Sequence, residues 1–258
     1  MAIKTRKISD WLSANGQAVT NASAASMKTY LEQNLRPLQD GVYIGKIQND
    51  GWGTQSGGET DNIGSYMRIE PWQTTSIGIS SADADAIVIQ HGGYRLGIAL
   101  TEPSAAMKWG SVQNSSSVGY QTSGDLNTFD GATRTAGVMA SSYYKNDDPA
   151  THAVAYCWNY MTNRTEGSKI CQIGKHHWWL PTMGDLALIH QHFETINLAL
   201  QRIKDAGKQS VSLLQRTNYW SCVETSGNTA WDLNFSNGYR NGNGKVVNSY
   251  RVRPVTAF

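Results

Sequence analysis

Residues 219–255 constrain this chain more than any other stretch. They read YWSCVETSGNTAWDLNFSNGYRNGNGKVVNSYRVRPV. Trp231, Leu233 and Phe235 fall on one side of a period-two pattern, with Asp232, Asn234 and Ser236 on the other, which predicts a strand with one apolar and one polar face. From Ser236 to Tyr250 the chain is almost entirely Asn, Gly, Ser, Tyr and Val without a helical or strand period, and strand-like spacing returns over Tyr250–Val255. The expectation is a long polar loop carried between two scaffold strands, an arrangement suited to binding. Tyr offers rigid contact area and Asn, Ser and Gly adaptable hydrogen bonding, as in antibody paratopes.

The body around this stretch reads as α+β. Gly41–Gly45 predicts a short strand, and Asn49–Gly64 a glycine-rich loop. Ala86–Gln90 and Tyr94–Leu100 are apolar runs joined at His91-Gly92-Gly93, a hairpin signal. Ser104–Trp109 is expected to form a helical turn and Ser111–Asp130 an irregular loop. Pro149–Tyr160 predicts a helix with Ala153, Val154, Cys157 and Trp158 in one stripe. A second helix starts at Thr182, with Asp185 completing a capping box, and runs to about Gly207 with Leu186, Ile189, His190, Phe193 and Ile196 or Leu200 on one face. Residues 1–40 differ from the rest. Asp10-Trp11-Leu12 and a modest helix over Ser23–Leu35 read equally as an attachment or oligomerisation segment and as a helix packed on the flank of a domain spanning 41–258.

Composition narrows the partners. Charged residues make up 16% of the chain and the net charge is +2 without a basic cluster, so neither nucleic acid nor an anionic membrane is an expected partner. No apolar run reaches the length of a membrane span. The basic amino terminus is not followed by the apolar run of a Sec signal, so synthesis and folding in the cytoplasm are expected. Cys157, Cys171 and Cys222 lack metal spacing and read as reduced, partly buried thiols. His176 and His177 are adjacent, and His190 and His192 lie two apart on a predicted helix, so neither pair can share a metal ion; no metal and no cofactor are expected. Arg251 and Arg253 read as scaffold charges, with Glu224 as the expected partner at the base of the loop. Trp178, Trp179, Trp220 and Trp231 read as core and bracing aromatics.

Tyr219-Trp220-Ser221, Ala230-Trp231, Phe235-x-x-Gly238, Val252-Arg253-Pro254-Val255 and Trp179-Leu180-Pro181-Thr182 together resemble the variable proteins of diversity-generating retroelements, in forms found in gut Bacteroidales and their phages. The resemblance covers roughly residues 40–258 and is strongest over 178–255. Cys222 and Val223 depart from it, standing where the family motif has Ser and Thr. It implies a C-type lectin-like fold with two helices, short antiparallel strands and much loop. It also implies a site rewritten by adenine mutagenesis, chiefly at Asn codons. Asp232, Tyr239, Arg240, Gly242, Gly244, Val246, Val247 and Tyr250 are reachable from such codons, among Asn228, Asn234, Asn237, Asn241, Asn243 and Asn248.

The expected function is non-enzymatic binding of a protein or glycan receptor on a cell surface, from a phage tail or a cell surface. A homo-oligomer fits, a trimer in related tail proteins. The ligand-binding set is Asn228, Asp232, Asn234, Asn237, Tyr239, Arg240, Asn241, Asn243, Val246, Val247, Asn248 and Tyr250, with Tyr239 and Tyr250 as energetic anchors whose truncation should leave stability nearly unchanged. Two alternatives stay open. One is a fixed-sequence lectin-like module for a sugar or cell-wall component, although the carboxylates of a calcium site are not assembled around Glu102-Pro103-Ser104 and Trp231-Asp232. The other is an enzyme of the formylglycine-generating type, although the paired cysteines and the Arg-Gly-Gly-Ser-Trp signature of that family are missing.

Overall fold

The hairpin expected at His91-Gly92-Gly93 organises the larger of the sheets. β3 (Ala86–His91) and β4 (Tyr94–Ala99) pair in antiparallel register from His91↔Tyr94 to Ala86↔Ala99. The turn between them is Gly92-Gly93, and Gly92 takes the left-handed φ of 55° that a tight hairpin requires. β1 (Gly41–Ile47) pairs with β3 on its other edge, β2 (Met67–Pro71) with β1, and β12 (Val255–Ala257) with β4. The order is therefore β12-β4-β3-β1-β2, all antiparallel. Ile87, Ile89, Leu96 and Ile98 enter the main core, whereas Ala86 and Ala99 join Ile47, Cys171, Ile173 and Trp178 in a second, smaller cluster. Apolar residues on both sides of the alternation explain why these strands read as continuous apolar runs rather than alternating ones.

The computed structural model describes residues 39–47, 67–73, 83–116, 118–119, 124–166, 169–208 and 210–257. The chain divides into two units, Met1–Gln39 and Asp40–Phe258. The expected Ser23–Leu35 helix and the Asn49–Gly64 loop lie outside the described residues.

Four helices are present among the described residues, not two. α1 (Gly131–Ala140) has no counterpart in the expectations, because its sequence GATRTAGVMA carries no apolar stripe. It forms by close approach: a Cβ on Gly131 would lie 2.4 Å from the Trp179 ring. α2 (Ala153–Asn159) starts later than Pro149 and buries Ala153, Val154 and Cys157. The long helix expected after Thr182 is broken at His192 into α3 (Met183–Gln191) and α4 (Phe193–Asp205).

The Thr182–Asp185 capping box is present as read. Asp185 N donates to Thr182 Oγ1 at 3.1 Å, and Thr182 N donates to Asp185 Oδ2 at 2.9 Å. The Tyr94 hydroxyl donates to Asp185 Oδ1 at 2.9 Å, which ties α3 to the five-stranded sheet. α4 packs on β1 and β3, and α3 on the strands of a second sheet described below. β6 (Thr162–Glu166) and β7 (Lys169–Ile173) form a separate hairpin.

Ser104–Trp109 is not helical. Met107–Lys108 is a short strand, β5, pairing with β11 (Ser249–Tyr250). Here a partner strand far along the same chain, in the register Ser249↔Lys108 and Tyr250↔Met107, outweighs local propensity.

Candidate functional site

The 236–250 stretch is not the structureless loop that its composition suggests. β8 (Asn218–Glu224), β9 (Thr229–Asn234) and β10 (Arg240–Gly244) make a three-stranded antiparallel sheet in the order β10-β9-β8, with β10 at the edge. The sequence of β10, RNGNG, has little strand propensity, so its place rests on main-chain pairing with β9 from Arg240↔Leu233 to Gly244↔Thr229. A turn at 235–238 joins β9 to β10: Gly238 N donates to Asn234 O at 2.7 Å, and Asn234 N donates to Tyr239 O at 2.8 Å.

Antiparallel register places cross-strand partners on the same face. One face carries Tyr219, Leu233 and Phe235 into the core beside α3 and α4. Tyr219 stacks on Phe235 at 4.5 Å, and Phe193 meets Phe235 edge-on at 5.9 Å. The pairs Asn218↔Asn234, Trp220↔Asp232 and Asp232↔Asn241 set Asn218, Asp232, Asn234 and Asn241 on the other face, joined by Asn243 opposite Ala230. The period-two reading thus holds for Leu233 and Phe235. Trp231 and Asp232 keep their expected faces, with Trp231 packed against the core, but differ from expectation in burial. Trp231 is half-buried and lies over Gly124, where an added Cβ would sit 3.1 Å from its ring. Asp232, expected to point outward, is fully buried at 0% exposure because neighbouring strands and β11 cover it.

A directional chain of hydrogen bonds runs across the polar face. The Ser236 amide donates to Asn234 Oδ1 at 2.8 Å, and so does the Ser236 hydroxyl. Asn234 Nδ2 donates to Asn218 Oδ1 at 2.7 Å, and Asn218 Nδ2 donates to Asp232 Oδ1 at 2.6 Å. From the opposite strand Asn243 Nδ2 donates to Asp232 Oδ2 at 2.7 Å. Burial pushes the Asp232 carboxyl up to about 6, against the pull of the two amide bonds. Tyr250 leans over the same region. Its ring packs on Trp220 at 4.6 Å, and burial, together with Asp232, raises its phenol.

The backbone under this face is held by buried charges. Lys245 follows β10 and is fully buried, where it donates to Glu224 and, at 2.8 Å, to Asn114 O. Its ammonium lies 4.7 Å from the Trp109 ring centroid and 5.6 Å from that of Tyr144. Glu224 also accepts from the Ser116 amide at 3.0 Å and from the Ser116 hydroxyl. Glu224 is therefore partnered by Lys245 and not by the arginines. Arg253, fully buried, bridges to Glu102 at 3.1 Å and donates to Ala99 O and Ser212 O; Arg251 lies 3.5 Å from the same Glu102. Burial raises the Glu102 carboxyl despite Arg253. The scaffold role expected of the two arginines stands with a different carboxylate.

Among the expected ligand-binding residues, Asn228, Asn237, Tyr239, Arg240 and Val247 are exposed, with Tyr239 at 68% and Val247 at 74%. Asn234, Asn241, Asn243, Val246, Asn248 and Tyr250 are half-buried. Asn237 and Asn248 spend their carbonyls on the local turns, accepting from Tyr239 N at 2.9 Å and Gly244 N at 3.1 Å. Two participants went unread. Asn218 joins the polar face through its cross-strand partner, and no local signal marks it. The loop after Gly124 lies beside the display strand, because Arg240 Nη1 donates to Gly124 O at 2.9 Å; Asp125, Leu126 and Asn127 there are exposed.

The three cysteines are free and buried, and burial raises the thiols of Cys157 and Cys222 well above their ordinary value. Trp178, Trp179 and Trp220 are core residues. Among the described residues, no group of three or more His, Cys, Asp or Glu is placed to hold a metal ion, and no helix is long and apolar enough to cross a membrane.

No family model matches the chain, and no curated protein matches it. Among solved structures it is similar to a fimbrial protein from Bacteroides ovatus, with 16% identity, a TM-score of 0.41 and 63% of this chain covered. This chain spans only 35% of that protein's length. A likeness of that size carries no argument about fold or function.

Proposed function

We propose that the polar face of β8–β10, with its flanking turns, is the binding surface of a C-type lectin-like domain that recognises a protein or glycan receptor on a cell surface, without catalysis. The observation that carries this reading is a division of labour within one small sheet. Main-chain pairing and the core-facing Tyr219, Leu233 and Phe235 hold the strands, while Asn241 and Asn243 on the polar face, Asn237, Tyr239 and Val247 in the flanking turns, and Arg240 opposite Leu233 are exposed or half-exposed. A rigid base with replaceable side chains suits a site whose sequence is rewritten, as the resemblance to retroelement variable proteins implies. Helices at both expected places, α2 and the α3–α4 pair, preceding a set of short carboxy-terminal strands support the lectin-like order. Related tail proteins are trimers, and avidity would multiply individually weak contacts.

A library randomised at 237, 239, 241 and 247 tests the reading. Most members are expected to fold with little loss of stability, and selection is expected to yield binders to unrelated surface receptors. A library that mostly unfolds removes the display function. At the level of the gene, a near-copy of the segment encoding about residues 219–255, differing almost only at adenines and beside a reverse transcriptase, separates a diversified site from a fixed lectin-like module.

A further inference from the structure

The Asn218–Asp232–Asn243 cluster is satisfied in one sense only. A carboxylate accepts hydrogen bonds and cannot donate, so it draws the NH2 end of each facing carboxamide toward itself. Asn218 meets Asp232 Oδ1 at 2.6 Å and Asn243 meets Oδ2 at 2.7 Å in that sense. The two amides differ in what else they hold. Asn218 Oδ1 accepts from Asn234, whose own Oδ1 accepts from Ser236, so turning Asn218 over would undo the whole chain. Asn243 makes no second side-chain hydrogen bond among the described residues, and its Oδ1 is not among their buried unpaired atoms. Its carbonyl therefore faces water from a half-exposed strand position. The carboxylate alone decides which end of that amide is outside.

We propose that Asp232 is a positioning residue that sets the hydrogen-bonding sense of the display face: its carboxylate holds Asn243 with the carbonyl outward as an acceptor, and its protonation lets that amide turn over and present NH2 as a donor. The step takes one proton from solvent and changes no bond between heavy atoms. A proton on Oδ2 sets an O–H donor against the Asn243 N–H, and a half-turn of the terminal amide torsion, which is close to two-fold symmetric, restores the bond with donor and acceptor exchanged. The midpoint of about 6 to which burial moves Asp232 brings the exchange within reach of modest acidification. The groups facing Asp232 are Asn218 and Trp220 from β8, Asn241 and Asn243 from β10 and the Tyr250 phenol from β11. The phenol, raised above its ordinary value, stays neutral throughout this range, and among the described residues burial and the two carboxamides are what move the Asp232 carboxyl. The consequence for specificity rests on the binding role proposed for this face: one protein would present two hydrogen-bonding patterns, one on each side of the transition.

Side-chain amide NMR of the full chain, labelled at asparagine nitrogen, tests this from about pH 4.5 to about pH 8. The Asn243 amide signals, assigned with Asn243→Ala, are expected to move with a midpoint near that of the Asp232 carboxyl carbon. Those of Asn218 and Asn234 should move much less. In Asp232→Asn, nearly isosteric and able to donate, the Asn243 signals should stay at their low-pH position at every pH. Asn243 signals indifferent to the Asp232 titration overturn the proposal. So does equal movement of all three amides, or an Asp232→Asn protein that keeps the high-pH pattern. No ligand enters the measurement, so the switch can fail while binding by this face stands, and the library can fail while the switch stands.

Discussion

Two buried carboxylates on neighbouring strands of one small sheet are treated differently. Glu224 on β8 faces a cation, Lys245, and two donors from Ser116, in a pocket walled by Trp109 and Tyr144. Asp232 on β9 accepts hydrogen bonds from the neutral carboxamides of Asn218 and Asn243. The first is compensated in charge as well as in hydrogen bonds, which suits a fixed foundation. The second is compensated in hydrogen bonds alone, so its charge remains costly and open to titration. The contrast separates what must not change from what can: the turn after β10 is anchored from beneath by a residue that looks like part of the displayed stretch.

The largest test of this contrast is Lys245→Met, which strands Glu224 in the core. A loss of about 3–5 kcal/mol in chemical denaturation is expected, most of it recovered in Lys245→Met/Glu224→Gln, because removing one partner of a buried pair costs far more than removing both. A single variant of near-native stability would mean that the Lys245–Glu224 pair does not anchor the turn. Next is Tyr250→Ala. Its ring packs on Trp220 and its strand pairs with β5, so a loss of roughly 1–2 kcal/mol is expected, in place of the near-neutral effect that composition alone suggests.

Asp232→Asn should act in the opposite direction and with a pH dependence. The folded protein holds the Asp232 proton more tightly than the unfolded chain, about 6 against the ordinary value of about 3.9. Ionisation therefore costs the fold stability as pH rises through that interval, and the cost is absent below it. The substitution should stabilise the fold at pH 8 by on the order of 1 kcal/mol in chemical denaturation, and the gain should vanish near pH 4. A constant difference at every pH would show that the charge is not the source. The smallest effect is expected for Tyr239→Ala, 68% exposed, which should stay within roughly 0.5 kcal/mol while weakening receptor binding.

What the sequence made legible follows from what each signal depends on. The capping box at Thr182 and the Gly92-Gly93 turn are local and were read at the correct residues. The burial of Cys157, Cys171 and Cys222 followed from their chemistry. The misses depend on partners outside the segment being read. β10 is a strand because β9 supplies its main-chain bonds, not because RNGNG favours extension. α1 fits against Trp179 by lacking bulk at Gly131, which leaves no periodic stripe to detect. Arg253 does not pair with Glu224: the two find their partners in other segments, Glu102 and Lys245. In the polar face, the exposed positions are legible as a polar run, but Asn218 and the burial of Asp232 depend on cross-strand register.

The position of β10 at the rim of its sheet has a consequence for crowding. An outermost strand offers open main-chain groups to any neighbouring chain, and copies arrayed side by side would meet at such rims. A rim built from Arg, Asn and Gly, with charge at Arg240 and no β-branched or aromatic residue between Arg240 and Gly244, is a poor template for strand addition. The outermost strand of this sheet thus discourages its own extension into a sheet shared with a neighbour.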